Sequence, residues 1–355
     1  MKVAILGCGA VSELYYTPAL QALKGQLEVG ALLDPNSDRL AQLQKAFPAA
    51  RPAYRVGELR EQGIELVIVA SPVRFHAEQA IQALESGISV LCEKPMAATT
   101  AEGEAMLRTA RETDQILAVG LFRRFFPAAR LIHQMLSDNL LGSVKSFHFT
   151  EGGVFSWPAQ SASFFQKTSA QGGVLLDLGV HLLDLLLWWF GQPTQVFYED
   201  DATGGLEANC RLLLAFPQGF KGEVRLSRDW SLSNRYLIEC EKGWLSWQVG
   251  EADKVQMGLY GSDFALDARL HHQVSKGALP ELGLPADGYH RSFIRQLQNV
   301  AAAVRGTGEV LVSGEQGIAS LRLIEQCYER RSLMPMPWLS GHEQAQATRL
   351  ATGTL

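Results

Sequence analysis

Residues 2 to 12, KVAILGCGAVS, decide the fold of the first third of this chain. Lys2 to Leu6 is an apolar run of strand length, and Gly7-Cys8-Gly9-Ala10-Val11-Ser12 follows it directly and opens a helix. Glycines at such a turn let the backbone bend sharply and approach a pyrophosphate. Free N–H groups and the positive end of the helix then stabilise its charge. The third position of this G-x-G-x-x-G pattern is Ser12, which is small enough to let helix and sheet approach. The turn alone is a weak signal, and Asp34 strengthens it. Asp34 ends the second apolar run, Glu28 to Leu33, where a carboxylate accepts both hydroxyls of a ribose. It would also repel a 2′-phosphate, so NAD is favoured over NADP. The competing reading is a plain glycine turn with Asp34 capping the next helix. Gly7, Gly9, Ala10, Val11 and Asp34 are the candidate cofactor contacts here.

Outward from this turn, short apolar runs alternate with amphipathic ones. A helix is expected over 12–23 and another after Asn36. Strands are expected over 65–70, 88–92 and 116–120, with helices over 75–86 and 100–113 between them. Near-continuous apolar strands separated by helices imply a doubly wound parallel sheet covered on both faces. The pattern changes near Phe122. A helix over 127–137 and a strand over 144–150 lead to a polar loop over 155–170 and a very apolar helix over 174–190. From 193 to 258 come successive strands with Gly and Pro turns, which indicate a large, mostly antiparallel sheet. Residues 259–288 read as irregular, helices near 289–305 and 315–331 close the fold, and the end from Ser340 reads as polar and frayed. Three segments are therefore expected: a dinucleotide-binding domain over 1–122, a substrate-binding and oligomerisation domain over 123–338, and a polar tail over 339–355. No internal repeat is visible.

The 355 residues are 47% hydrophobic and 19% charged, ordinary globular usage that excludes disordered, collagen-like and coiled-coil chains. A formal net charge of -5 leaves no footprint for nucleic acid or an anionic membrane. The five cysteines are scattered and form no CxxC pair, which argues against a disulfide framework or zinc ribbon. They fit a reducing compartment, and a cytoplasmic location is expected. The N-terminus lacks the apolar segment of a signal peptide. The most apolar stretch, Val174 to Phe190, contains Asp177, His181 and Asp184, which makes it a poor membrane span.

That stretch, GGVLLDLGVHLLD over 172–184, carries the second signal. Asp177, His181 and Asp184 fall at i, i+4 and i+7, on one helical face, with apolar residues or Gly elsewhere. Burying an unpaired carboxylate or imidazole is costly, so these groups must face partners or a wet cavity. The ordinary pKa of His181 suits proton transfer near neutrality. A purely structural buried network is the competing reading. A metal site is disfavoured because no further His cluster is nearby, and no metal is expected. Asp184 reads as structural. Separately, Glu93-Lys94-Pro95 places a lysine just past the C-terminal end of a strand, the edge where open α/β sheets bind ligands. A generic loop lysine is solvated; beside a dinucleotide turn and an Asp/His helix the balance shifts.

Through GCGAVS, SPVRFH over 71–76, EKPMA over 93–97 and GGVLLDLGVHLLD over 172–184, the sequence resembles the Gfo/Idh/MocA oxidoreductase family over about residues 2–335. The resemblance implies an N-terminal Rossmann domain followed by an α/β domain with a large open, mostly antiparallel sheet. It implies that Lys94 contacts both nicotinamide ribose and substrate hydroxyl, and that Asp177 and His181 are the catalytic pair. It implies that Ser71, Pro72 and His76 line the cofactor cleft, where Val73 replaces the family's usual Asn, and that Glu93 belongs with them. Arg124 in RRFFP matches a segment beside the substrate, with Arg123 as the alternative. Trp157, Phe164 and Phe165 either stack on a sugar face or anchor their loop. Arg228, Asp229 and Trp230 are further candidates that the sequence does not decide between.

The reading is hydride transfer between a nicotinamide cofactor and a secondary hydroxyl of a sugar, cyclitol or sugar derivative, with a small polyol or sugar as partner. Alternatives are a relative that keeps NAD bound and uses transient oxidation for glycoside cleavage or sugar–sugar hydride exchange, and a non-enzymatic dinucleotide-sensing protein. Retention of Lys94, Asp177 and His181 argues against the last. The apolar strands CRLLLAF and GWLSWQV suggest subunit pairing through the sheet face, as a homodimer or homotetramer.

Overall fold

The computed structural model describes residues 1–158, 166, 171–270, 288–337 and 339–352. They divide into two compact units, the first chiefly Met1–Phe126 with 288–321, the second chiefly Pro127–Trp157 with 171–270 and Arg322 onward.

In the first unit six parallel strands form one sheet: β1 (Lys2–Leu6), β2 (Glu28–Leu33), β3 (Arg51–Pro52), β4 (Leu66–Val69), β5 (Ser89–Cys92) and β6 (Leu117–Val119). Their order is β3-β2-β1-β4-β5-β6, the doubly wound arrangement whose reversal lies between β1 and β4. β4 and β5 are buried at every position, as strands covered on both faces must be. The connecting helices include α1 (Thr17–Ala22), α2 (Ser37–Ala46), α3 (His76–Glu85) and α4 (Thr100–Glu112). Asn36 caps α2, its side chain accepting from the N–H groups of Asp38 and Arg39 at 3.0 and 3.1 Å. The helix expected over 12–23 begins instead with a π-type turn, Ser12–Tyr16, before α1. The Gly288–Val304 helix belongs to the same unit, where Phe293 stacks on Tyr15 and Phe122.

The second unit opens with α5 (Pro127–Ser137) and is built on a nine-stranded sheet. Its strands are β7 (Val144–Gly152), β8 (Gln195–Asp200), β9 (Asn209–Ala215), β10 (Lys221–Ser227), β11 (Arg235–Cys240), β12 (Gly243–Gln248), β13 (Lys254–Leu259), β14 (Ala265–Arg269) and β15 (Ser332–Leu333). The order is β14-β13-β12-β11-β7-β10-β9-β8-β15, antiparallel except at β7–β10 and β8–β15. One face is apolar: Phe149, Tyr236, Trp247 and Trp189 form an aromatic core, with Phe149 stacked on Tyr236 at 4.6 Å. The indole of Trp189, in the Val180–Phe190 helix, donates to Ala129 O at 3.1 Å and ties that helix to α5. The other face carries an ion-pair ladder in which Arg211 meets Glu199 and Glu223, and Glu223 also meets Arg225. Phe197 and Leu213, paired across β8 and β9, are exposed.

Four segments differ from expectation. β14 lies in the stretch read as irregular; all its residues are exposed, so the inside–outside alternation that marks a strand is missing. The frayed tail is a helix over Gly341–Thr352. Ser340 and Glu343 cap it reciprocally, with the Ser340 N–H and hydroxyl donating to Glu343 at 2.7 and 2.6 Å and the Glu343 N–H donating to the hydroxyl. β3 and β15 are two-residue strands, too short to leave a pattern. Among the described residues, no helix is long and apolar enough to cross a membrane and no cluster of His, Cys, Asp and Glu could hold a metal ion.

Candidate active site

Because the strands of the first sheet are all parallel, the segments leaving β1, β2, β4, β5 and β6 emerge at one edge. These segments carry Gly7, Asp34, Ser71, Glu93–Lys94 and Arg123–Arg124.

Gly7 has φ +96°, and a Cβ there would lie 2.5 Å from Ser71 N and 2.6 Å from Ala70 O. No side chain fits, for conformational and steric reasons together. A Cβ on Gly9 would meet nothing within 4 Å among the described residues, so the turn presents bare backbone. Ser12 is fully buried and donates to Gly7 O at 2.6 Å, so it fastens the turn as well as being small. The carboxylate of Asp34 accepts from the N–H groups of Cys8 at 2.7 Å and Asn36 at 2.8 Å. That removes the capping alternative: Asn36 caps the following helix, and Asp34 joins the end of β2 to the glycine turn. A carboxylate has about four lone-pair sites, so two backbone donors leave acceptor capacity for ribose hydroxyls. Burial and the neighbouring Asp34 charge push the Cys8 thiol up to about 12, and it stays protonated.

His76 is buried, with Nε2 2.7 Å from Ser71 O and Nδ1 2.9 Å from Pro95 O. Its ring bridges the loops after β4 and β5. Burial pushes its pKa down, against the pull of the two carbonyls. Ser71 donates its hydroxyl to Gln79 at 2.7 Å. Glu93 is buried beneath its loop, accepting from the Tyr16 hydroxyl at 2.7 Å and from the Lys94 N–H at 3.1 Å. Burial raises its pKa, and the Tyr16 hydrogen bond and the Lys94 charge oppose that rise. The Glu93 carboxyl thus anchors the loop that presents Lys94, which is half-buried and followed by a cis peptide to Pro95. Arg123 and Arg124 are both buried in a short turn over Phe122–Phe125, 4% and 3% exposed, so neither reads as a loosely solvated arginine.

In the second unit Asp177 lies in a π-type turn, Leu175–Gly179, and His181 lies one residue into the Val180–Phe190 helix that continues it. Gly179 lets this turn pack on β10, since a Cβ there would lie 2.8 Å from a Leu226 methyl. His181 and Asp184 are buried, 5% and 1% exposed, while the Asp177 side chain keeps a third of its surface. The guanidinium of Arg228 donates to Asp177 Oδ2 at 2.6 Å and lies over the Phe155 ring at 5.4 Å. The Phe155 N–H donates to Arg228 O at 2.8 Å, which ties the strand end carrying Arg228 to the segment after β7. The sequence left Arg228 open among three residues. Asp229 instead accepts from the Ser227 hydroxyl, and Trp230 is exposed. Trp157 is half-buried; Phe164 and Phe165 lie outside the described residues.

The first unit therefore gathers the candidate cofactor residues, and the second gathers Asp177, His181 and Arg228. Two family models match the chain: an NAD-binding Rossmann domain of the oxidoreductase family over residues 1–121, and the GFO/IDH/MocA C-terminal domain over 129–246. Among curated proteins, the chain is 30% identical over 197 residues to scyllo-inositol 2-dehydrogenase (NADP(+)) of Bacillus subtilis, covering 55% of this chain and 53% of that protein. It is 33% identical over 196 residues to glucose-6-phosphate 3-dehydrogenase of the same species, covering 53% of each. The matched region spans about half the length of these relatives. In fold the chain is similar to levoglucosan dehydrogenase in complex with NADH and levoglucosan, with TM-score 0.82, 20% identity and coverage of 93% and 96%. It is likewise similar to the aldose-aldose oxidoreductase of Caulobacter crescentus, with TM-score 0.79, 22% identity and coverage of 93% and 97%. With the family's two domains matched in order over residues 1–121 and 129–246, the chain belongs to the Gfo/Idh/MocA oxidoreductase family.

Proposed function

We propose that this protein is an NAD-dependent dehydrogenase acting on a secondary hydroxyl of a sugar, cyclitol or sugar derivative. The observation that carries the reading is the glycine turn after β1, built to present bare backbone and fastened to Asp34 by the Cys8 N–H. It fits a dinucleotide: the turn leaves Gly9 open, and Asp34, fastened beside the turn, keeps acceptor capacity for ribose hydroxyls. The names of the relatives, which act on an inositol and on a sugar phosphate, support the substrate class. The NADP-linked relative keeps the second cofactor in view, and Asp34 argues for NAD in this chain.

When bound, NAD supplies the hydride-accepting chemistry. The chain's own residues do the rest. Lys94 hydrogen-bonds the reacting hydroxyl oxygen and stabilises the charge that develops on it. His181 takes the hydroxyl proton. Asp177 orients His181 and stabilises its cation, while Arg228 fixes the Asp177 carboxylate at 2.6 Å. Glu93 and His76 hold the Lys94 loop from beneath. Gly7, Gly9, Ala10, Val11, Ser71 and Pro72 form the cofactor's bed, and Arg124 and Trp157 contact substrate. The same proposal takes 1–122 as the cofactor domain and 123–338 as the substrate and oligomerisation domain. It includes a cytoplasmic homo-oligomer, supported by the buried unpaired cysteines and by the exposed Phe197–Leu213 pair on the open sheet face.

The test is reduced-nicotinamide formation across cyclitols, aldoses, sugar phosphates and nucleotide sugars, with NAD and NADP in matched reactions. At least one polyol or sugar should reduce NAD faster than NADP. Clear NAD binding with no turnover across the panel would overturn the enzyme reading in favour of dinucleotide sensing.

A further inference from the structure

A helix begins with four backbone N–H groups that have no partner within it, and most helices satisfy some of them with a residue next door. The segment carrying Asp177 and His181 does so with a residue more than thirty positions away. No side chain at its own N-cap, Val174, bonds to it. Instead the carboxylate of Glu207, just before β9, accepts from the Gly173 N–H at 2.9 and 3.0 Å and from the Leu175 N–H at 3.1 Å. The backbone oxygen of Glu207 accepts from the Val174 N–H at 3.0 Å. One residue thus satisfies three successive donors, and its carboxyl sits at the positive helix end, where burial raises its pKa and the hydrogen bonds from Tyr328 and the backbone oppose that rise. Glu207 is 5% exposed, and the hydroxyl of Tyr328 donates to its Oε1 at 2.7 Å.

The clamp explains the paired glycines that open the motif. A Cβ on Gly173 would overlap the Glu207 backbone carbonyl, and one on Gly172 would lie 2.5 Å from the Tyr328 hydroxyl. Both glycines are vacant at Cβ because Glu207 and Tyr328 fill that space. The turn so held is the π-type turn Leu175–Gly179, which contains Asp177 and feeds into His181. Such turns are uncommon and recur at functional sites. A slip of one hydrogen bond at its start would rotate both side chains away from their direction.

We infer that Glu207 and Tyr328 are positioning residues that fix the register of the Leu175–Gly179 turn and thereby the placement of Asp177 and His181. The inference rests on the dehydrogenase reading for its catalytic consequence, but not for its structural one. In Glu207→Gln the side chain keeps its size but offers one acceptor oxygen, and its amide opposes the backbone donors. Tyr328→Phe removes a single donor.

The experiment combines steady-state kinetics with histidine-ring NMR, the His181 signals being assigned by their loss in His181→Asn. For Glu207→Gln the expected result is a fall in kcat of about 10- to 100-fold, the scale set by misplacement of a catalytic group. KM for NAD should stay within about twofold, because ground-state cofactor binding is untouched. The His181 signals should move, and Tyr328→Phe should give smaller shifts in the same direction. Unmoved His181 signals in both variants, or a rise in KM for NAD that matches the loss in kcat, would overturn the inference. If Glu207→Gln does not fold, Tyr328→Phe decides on the same readouts. If the wild type oxidises nothing in the panel, the dehydrogenase reading fails, and the His181 signals alone decide the positioning claim.

Discussion

The two units hold their candidate site residues by different means. In the first, polar side chains are pinned by backbone: Asp34 by two N–H groups, His76 between two carbonyls, Ser12 on Gly7 O. Each lies on a segment that leaves the end of a parallel strand, Asp34 directly and Ser12 and His76 at the start of the following helical turn, so the sheet sets the arrangement. In the second, charged side chain meets charged side chain, Arg228 on Asp177, and Asp177 remains a third exposed. Backbone-pinned groups cannot turn toward a new partner without breaking the loop they hold. A side-chain ion pair involves no backbone group, so the placing of Asp177 depends on a side-chain partner, the largely buried Arg228. The difference separates candidate residues fixed by the backbone of one sheet from a candidate residue fixed by a charged partner.

Substitutions can break this contrast or sharpen it. The largest effect is expected in the second unit: His181→Ala should lower kcat by about 10²–10⁴-fold, the usual weight of a general base. NAD affinity, measured by calorimetry, should not change, and an equal loss of affinity would merge the two regions' roles. In the first unit Gly7→Ala should do the reverse. It forces a side chain onto φ +96° and into Ser71 N, adding about 1–3 kcal/mol of backbone strain before the clash is counted. The melting temperature should fall and NAD affinity drop by roughly 100-fold. Arg228→Gln removes the charge that fixes Asp177, and kcat should fall about tenfold with NAD affinity unchanged. Wild-type kinetics in that variant would make the ion pair incidental. Last, Asp34→Ser should lower the NAD-to-NADP ratio of kcat/KM by about tenfold, because a like-charge repulsion against the 2′-phosphate is removed. An unchanged ratio would place cofactor choice elsewhere.

The same contrast explains what was legible in the sequence. The first unit's features are contiguous: an apolar run, a glycine turn, a carboxylate at the end of the next run. Each element reports its own neighbours, so the alternation of strands and helices, the glycine turn after the first strand and Asp34 at the end of the second follow from periodicity and spacing. What Ser12 does was not visible, because its acceptor is a backbone atom of the turn. In the second unit, Asp177 and His181 stand out as polar residues in a greasy helix, but their supports come from far along the chain. Arg228 lies 51 positions from Asp177, and Glu207 lies 34 from Gly173. Nothing local at either position signals the partner. β14 escaped because an edge strand exposed throughout shows no alternation. The closing helix did carry its mark: Ser340 and Glu343 have the spacing of a reciprocal cap, masked by the polar residues around them.

The most direct test of the central claim follows the hydrogen. A substrate from the panel, deuterated at the carbinol carbon, is oxidised by the wild-type protein with unlabelled NAD, and the reduced cofactor is examined by mass spectrometry and proton NMR. Direct hydride transfer leaves one deuterium at C4 of the dihydronicotinamide ring and none in solvent. Deuterium washed into water, or retained in the product beside an unreduced cofactor, would contradict it.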